Sequence, residues 1–171
     1  VLNVNGLAGE LGIPVNTVRR WLDALRRSFL VEEIPAYSRN AGQRILKAPK
    51  LVVLDAALAL AAARESVPTG FHLETLVASD LMVWKDAAPD RAVHHWRTQH
   101  GQEVDFVVEQ ARRLVPVEVK ASASVGADDA RHLRTFLERH SEAVRGLLLS
   151  ADPAIRSFGE RVIAAPWWAV I

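Results

Sequence analysis

Helical and strand patterns alternate along the 171 residues of this chain and predict an α/β (α+β) protein in two parts. Residues 3–34 have the apolar spacing of two helices joined by a tight turn. Residues 71–150 predict a helix, three strands, a helix and a further strand around a mixed central sheet. The segment 66–70 contains proline and glycine, so we place one domain at residues 1–66 and the other at 67–171.

The composition indicates a globular protein whose basic charge is concentrated at one end. Half of the residues are apolar and the net charge is +1. Residues 1–50 carry eight Lys and Arg against four Asp and Glu, whereas residues 51–171 carry thirteen against sixteen. Such an asymmetry indicates that the first part meets a polyanion.

Several function classes are excluded or disfavoured by what the sequence lacks. Without cysteine there is neither a disulfide framework nor a thiolate metal site. No stretch resembles a signal peptide or a membrane span, so we predict a cytoplasmic protein that does not contact a membrane. Because the chain begins with valine and Met82 is its only methionine, we expect it to be a piece of a longer protein.

The first two predicted helices form a helix-turn-helix. Gly12-Ile13-Pro14 separates them, because glycine suits the left-handed residue that ends one helix and proline suits the start of the next. In the second helix, apolar residues recur at the spacing of one amphipathic face, which we expect to pack inward: Val18, Trp21, Leu22, Leu25 and Phe29.

A strand over residues 30–34 and a basic segment over 37–50, with a turn at 40–42, follow this pair and suggest a winged helix. Its second helix would enter the major groove while the wing contacts the DNA backbone. The predicted nucleic-acid contacts are Arg19, Arg20, Arg26, Arg39, Arg44 and Lys47. The alternative is a winged helix that contacts only protein, with its arginines as a solvated surface.

The middle of the chain continues with short elements. Residues 51–54 predict a buried strand, and Asp55 then precedes an alanine-rich helix that ends near residue 64. Residues 71–84 predict a helix with a broad apolar face, with Glu74 on its first turn. A strand over 93–97 follows.

The end of the chain predicts a helix over 128–139, a buried strand over 146–150 and one more strand over 161–164. Three tryptophans fall on apolar faces of predicted elements, and we expect them in the core: Trp21, Trp84 and Trp96. The histidines His94, His95 and His100 do not have the spacing of a familiar metal site.

The most informative stretch is a predicted hairpin over residues 101–120, with Ala111-Arg112 as its turn. This register places Asp105 opposite Glu118 and Glu103 opposite Lys120. Strand alternation predicts that Val104, Phe106 and Val108 share the opposite face. Facing carboxylates repel each other, and a divalent cation is the usual remedy.

The order helix, three strands, helix, strand resembles the core of the PD-(D/E)XK nuclease superfamily. The resemblance carries its aspartate onto Asp105 and its E-x-K motif onto Glu118-Val119-Lys120. It implies that Asp105, Glu118 and Lys120 are catalytic and that Glu74, Asp105 and Glu118 hold Mg²⁺. Val104 stands where the superfamily has proline. The alternative is an inactive site of strand-end ion pairs, with Glu74 as a charge at a helix N-terminus.

Most of residues 3–150 also resemble the C-terminal region of bacterial and archaeal AAA-plus-type ATPases. The resemblance is carried by motifs in both parts of the chain: Lys47-Ala-Pro-Lys50, Asp55, Gly70, Leu73-Glu74, Glu103-Val-Asp-Phe106 and Glu118-Val-Lys120. It implies a P-loop ATPase domain, and hence ATP binding, N-terminal to this chain, which has no G-x-x-x-x-G-K-[ST] motif. It also implies that the protein can form an oligomer through the ATPase part.

Three functions therefore stand as hypotheses. The first is a DNA-binding, nuclease-like module of the larger ATPase. The second is an active Mg²⁺-dependent DNA endonuclease that uses Asp105, Glu118 and Lys120. The third is a non-enzymatic module that contacts protein and assembles or regulates the ATPase.

Overall fold

The structure is a computed structural model that describes residues 1–38 and 48–169. Five α-helices lie in these ranges: α1 (Val4–Leu11), α2 (Val15–Arg27), α3 (Ala56–Ala63), α4 (Gly70–Asp86) and α5 (Arg131–Arg139). The first five strands are β1 (Val31–Ile34), β2 (Lys50–Val53), β3 (Arg91–Arg97), β4 (Glu103–Gln110) and β5 (Arg113–Lys120). The last three are β6 (Gly146–Ser150), β7 (Arg156–Ser157) and β8 (Val162–Pro166).

The strands form two sheets, and the predicted α+β class with a mixed central sheet is confirmed. β1 and β2 form an antiparallel pair. The other six strands form one sheet in the order β3-β4-β5-β6-β8-β7, in which β5, β6 and β8 run parallel. The helix α4 packs on one face of this sheet and α5 on the other. The predicted turn at 40–42 lies outside the described residues.

The helices α1 and α2 are separated at Gly12-Ile13-Pro14, as the sequence predicts. The Asn3 side chain accepts a hydrogen bond from the Gly6 amide at 3.0 Å and caps α1. Gly12 ends this helix with a φ of 64°, a left-handed conformation that glycine adopts without strain. Ala8, Val18 and Leu22 are the buried residues of a small core of their own.

The apolar face of α2 is only partly covered, which corrects the prediction that all five of its apolar residues pack inward. Val18 and Leu22 are buried. By contrast, Trp21 is 54% exposed, Leu25 is 38% exposed, and Phe29, just beyond the end of the helix, is 80% exposed. Trp21 is therefore not a core residue.

The β4–β5 hairpin has the predicted register, which is confirmed. Pairing runs from Gln110 with Arg113 to Phe106 with Val117, and the predicted pairs of Asp105 with Glu118 and of Glu103 with Lys120 lie beyond this paired stretch. Both residues of the Ala111-Arg112 turn have positive φ, 49° and 65°, as a type I′ turn requires.

A bulge in β4 interrupts its alternation. His94 pairs with Val107 and Trp96 pairs with Val104, so His95 alone stands opposite two residues of β4, Asp105 and Phe106. As a result, Val104 packs in the core on the α5 side, whereas Phe106 packs in the core on the α4 side. The prediction that Val104, Phe106 and Val108 share one face is therefore wrong.

The β1–β2 pair shares a core with the large sheet. Ile34 and Val52 belong to the same buried cluster as Phe106. The chain after β1 runs along the edge strand β3, where the Tyr37 amide donates to the His95 carbonyl at 2.6 Å and the His95 amide donates to the Pro35 carbonyl at 3.0 Å. Trp96 is buried and Trp84 partly so.

In the two described ranges, no helix is both long enough and apolar enough to span a bilayer.

Candidate functional site

The predicted site residues of the second part converge, and a lysine from the first part joins them. Glu74 comes from the second turn of α4, Asp105 from the bulge of β4, and Glu118 and Lys120 from the end of β5. Lys50, the first residue of β2, reaches this group from the other sheet. Three carboxylates and two ammonium groups thus lie together at one end of the β4–β5 hairpin.

The Lys50 ammonium lies between two of the carboxylates. Its Nζ atom is 2.6 Å from Glu74 Oε1 and 3.4 Å from Asp105 Oδ1. It is also 3.5 Å from the main-chain carbonyl of Asp105 and 5.1 Å from the centre of the Phe106 ring. With only 12% of its side chain exposed, Lys50 is held by protein groups rather than by water.

The bulge gives the Asp105 carboxylate a fixed orientation. While Oδ1 faces Lys50, Oδ2 accepts a hydrogen bond from the Val119 amide at 2.9 Å. Bulges re-aim side chains in this way and are frequent next to functional sites. Asp105 therefore connects the α4 side of the site to β5.

Glu118 is the most deeply buried carboxylate of the group. Its side chain is 7% exposed, and Oε1 accepts a hydrogen bond from Lys120 Nζ at 2.7 Å. Its Oε2 atom is buried and has no hydrogen-bond partner among the described residues. Burial, together with the negative charge of Asp105, raises the pKa of Glu118 to about 7.

Burial and neighbouring charges also shift the pKa values of Lys50, Glu74 and Lys120. Burial lowers the pKa of Lys50, but Asp105 and Glu74 outweigh burial and hold that pKa above its ordinary value. Burial and the charge of Asp105 raise the pKa of Glu74, against the opposing effect of Lys50. The pKa of Lys120 is also raised, because its interaction with Glu118 outweighs its burial.

These donors do not fit a Mg²⁺ ion in their present arrangement. A hard divalent cation takes several oxygen ligands at once, whereas the oxygens of Glu74 and Asp105 that face each other are bridged by Lys50. Glu118 is paired with Lys120. Within residues 1–38 and 48–169, no group of three or more His, Asp or Glu side chains is placed to hold a metal ion.

The predicted nucleic-acid contacts divide into three groups. Arg19 and Arg20 are exposed on α2. Arg26 is instead paired with Glu33 at 2.8 Å and with Asp23 at 3.4 Å. The remaining three, Arg39, Arg44 and Lys47, lie outside the described residues.

Glu103 and Lys50 have ion-pair partners that the sequence did not predict. Glu103 lies 3.7 Å from Arg97 across the β3–β4 pair, whereas the sequence predicted it opposite Lys120. Lys50 was predicted only as part of a basic segment, and the sequence assigned it no place in the carboxylate site. The sequence feature that could have pointed to Lys50 is its position, because it is the last charged residue before the apolar run of residues 51–54.

Comparison with protein families assigns both parts of the chain. The model described as "Domain of unknown function (DUF4143)" matches residues 69–170. The chain belongs to the DUF4143 family. This domain is found in AAA-ATPase-associated proteins. A second model, "Domain of unknown function (DUF8612)", matches residues 1–69.

Two curated relatives of this DUF4143 protein have the description "Uncharacterized protein". They are the proteins Rv2008c of Mycobacterium tuberculosis and Mb2031c of Mycobacterium bovis. Each is 30% identical over 131 residues, an alignment that covers 69% of this chain but only 28% of the relative. No solved structure matches the chain.

The two family models divide the site between them. Glu74, Asp105, Glu118 and Lys120 lie in the DUF4143 match, whereas Lys50 lies in the DUF8612 match. The ion pairs of Lys50 therefore connect the two matched segments.

Proposed function

We propose that this chain is the C-terminal, nuclease-like module of a larger AAA-plus-type ATPase and that it binds DNA without cutting it. The observation that carries the proposal is the convergence of Glu74, Asp105, Glu118 and Lys120 from one helix and two adjacent strands. Their elements follow one another as α4-β3-β4-β5-α5-β6, the order of the PD-(D/E)XK core.

The larger context is supported by the comparisons. DUF4143 is found in AAA-ATPase-associated proteins, and the chain spans 28% of the curated relatives it matches. No P-loop motif occurs in the sequence, so ATP hydrolysis would belong to another part of the protein.

DNA contact is proposed at the exposed side of α2. Arg20 and Arg27 lie about 160° to 180° around the helix from the buried Val18, and both are exposed. Arg19 is exposed as well. Cations on the free face of the second helix of a helix-turn-helix can contact phosphates. Arg26, held by Glu33, would serve the fold rather than the DNA.

Binding without cleavage is proposed because of Lys50. In metal-dependent nucleases the cation stabilises charge at the phosphate and generates the attacking hydroxide. Here an ammonium bridges the carboxylates of Glu74 and Asp105, and an ammonium cannot coordinate a water molecule and convert it to hydroxide as a metal ion does.

The test measures binding and cleavage on the same protein. Fluorescence anisotropy with a labelled duplex should show binding that weakens steeply with salt. In Arg19→Ala/Arg20→Ala the slope of log K against log salt should fall by about 2, because two phosphates are then no longer neutralised by arginine. The matched control is Arg131→Ala/Arg145→Ala, two exposed arginines outside the helix pair, which should leave the slope unchanged.

The cleavage arm uses plasmid with Mg²⁺ or Mn²⁺. Intact plasmid with the wild type supports the proposal. Cleavage that disappears in both Asp105→Ala and Glu118→Ala would instead support an active endonuclease. Absence of salt-sensitive binding would rule out the DNA-binding module.

A second candidate is a module that contacts protein, and an exposed apolar stripe along α2 and just beyond its end favours it. Trp21, Leu25 and Phe29 recur every four residues and are all exposed. Trp21 and Leu25 lie beside the buried Val18 on the side of the helix away from Arg19, and Phe29 follows just beyond the end of α2. We propose the ATPase part of the same protein as the occupant of this stripe, because the longer relatives contain chain beyond this segment.

Substitution separates this role from DNA contact. Trp21→Ser/Leu25→Ser should weaken binding to the separately expressed ATPase region while leaving DNA binding intact. The control is Leu58→Ser/Ile155→Ser, which removes two other exposed apolar side chains. Equal weakening by both double variants would show that the effect is not specific to the stripe.

A further inference from the structure

The Lys50 ammonium is surrounded by more groups than a simple ion pair provides. A buried ammonium loses its hydration, and one carboxylate rarely compensates for that loss. Lys50 is instead surrounded by several negative or electron-rich groups: Glu74, Asp105, the Asp105 carbonyl and the face of Phe106. The surroundings are therefore those of a cation site, and the cation is a side chain of the chain itself.

The carboxylates need this cation. Glu74 and Asp105 are 26% and 16% exposed, and each carboxylate destabilises the charge of the other. Lys120 attracts Asp105 as well, but its close ion-pair partner is Glu118, at 2.7 Å. Removing Lys50 would leave two facing carboxylates and, beside them, Glu118 Oε2, which has no partner among the described residues.

We propose that the Lys50 ammonium takes the place of a divalent cation in this site, so that the site excludes metal while β2 is docked on the sheet. This inference deepens the proposed function and rests on the nuclease-like site assigned there. It explains why the carboxylates that the resemblance assigns to Mg²⁺ are present although their arrangement does not fit Mg²⁺. The proposed site also joins the two family segments, because the lysine lies in the DUF8612 match and the carboxylates lie in the DUF4143 match.

The proposal predicts that removing one positive charge creates a metal site. Lys50→Met keeps most of the aliphatic stem but leaves Glu74, Asp105 and Glu118 without the ammonium. We expect Lys50→Met to bind one Mn²⁺ per chain in isothermal titration calorimetry, with a matching loss of the free Mn²⁺ signal in electron paramagnetic resonance. The wild type should bind none, and Lys50→Met/Asp105→Asn should lose the site again.

Lys85 provides the matched control. It joins α4 to β1 through Glu32 at 3.3 Å, so Lys85→Met also removes a lysine ion pair that connects the first part to α4. Its surroundings do not contain three carboxylates from α4, β4 and β5. Lys85→Met should therefore gain no Mn²⁺ binding, and Lys50→Arg, which keeps a cation, should also remain metal-free.

Two results would overturn the proposal. One is stoichiometric Mn²⁺ binding by the wild type that is abolished in Asp105→Asn. The other is absence of Mn²⁺ binding by Lys50→Met when its circular dichroism spectrum is native. If Lys50→Met unfolds, the wild type alone still tests the proposal. A rise in the Tm of the wild type with Mn²⁺ would contradict the claim that its site excludes metal. All these measurements omit DNA, so failure of DNA binding is seen separately.

Discussion

At the scale of single residues, Lys50 and Lys85 offer a comparison between a buried and a more exposed ion pair. Each contacts two carboxylates, but Lys50 is 12% exposed and its partners are 26% and 16% exposed, whereas Lys85 is 28% exposed and its partners, Glu32 at 3.3 Å and Asp86 at 3.5 Å, are 37% and 74% exposed. Removing one partner of a buried pair leaves an uncompensated charge, whereas exposed pairs contribute little.

We therefore predict that Lys50→Met lowers the free energy of unfolding by about 3 kcal/mol and Lys85→Met by less than about 1 kcal/mol. Urea denaturation without divalent metal measures both. Lys50→Met/Glu74→Gln should regain part of the loss, because one of the facing charges is then absent. Equal losses for the two lysines would contradict the buried-pair interpretation.

His95 sets a second expectation, concerning pH. It is 2% exposed, faces the Ala48 carbonyl at 3.3 Å and lies near the positive charges of Lys50 and, when protonated, His94. Burial lowers the pKa of His95 to about 4. In the unfolded chain its pKa is near 6.5, so the unfolded state binds more protons between these two values.

Stability contributed by neutral His95 is therefore present above pH 6.5 and is lost as pH falls toward 4. Between pH 7 and pH 5 this loss should be about 2 kcal/mol. The measurement is the difference in unfolding free energy between the wild type and His95→Gln at each pH, since other groups titrate in both proteins. A difference that stays constant with pH would show that folding does not lower the pKa of His95.

At the scale of elements, the β4–β5 turn shows a correct register with an unfavourable turn sequence. Ala111 and Arg112 both have positive φ, which costs an L-residue with a β-carbon roughly 1–2 kcal/mol. The hairpin forms nonetheless because apolar side chains of β4 and β5 are buried on both faces of the sheet.

Ala111→Asn/Arg112→Gly, the Asn-Gly pair preferred in type I′ turns, should raise the free energy of unfolding by about 1 kcal/mol. Thermal and urea unfolding measure this change. As a control, Arg113→Gly places glycine one residue later, inside β5, and should destabilise by about 0.5–1 kcal/mol. A stabilising effect of that control would show that the gain does not come from the left-handed turn.

The elements also show how far sequence patterns reach. The register of the β4–β5 hairpin was predictable because alternation and hairpin length fix which residues face each other, whereas the short strand β7 was not predicted. The bulge at Asp105 could not be predicted. Residues 104 and 106–108 are all apolar, so the sequence does not show where the strand changes face. Periodicity located α2 but could not tell that Trp21 is uncovered, since the packing partner is not part of the pattern. Lys50 joins the site only through tertiary packing of β2 on the sheet.

At the scale of the whole molecule, part of the segment predicted as the first domain shares a buried core with the second part. Ile34 and Val52 are buried with Phe106, and Tyr37 is buried with Trp96. The helices α1 and α2 have a separate small core, which is connected to the rest through Leu51 and a hydrogen bond from Leu2 to Pro49 at 2.7 Å. A predicted first domain thus contains one segment that shares the main core and one that does not.

Native-state hydrogen exchange should resolve these two behaviours, because regions that share a core open together whereas weakly packed regions open at lower free energy. We predict that slowly exchanging amides of β1 and β2 open with the same free energy as those of β4 and β5. Amides of α1 and α2 should exchange through an opening of lower free energy. Lys50→Met should lower the opening energy of β2 toward that of the helices, while Lys85→Met should not. If β1 and β2 instead open together with α1 and α2 in the wild type, the boundary at 66–67 is correct and the ion pairs of Lys50 do not unite the two parts.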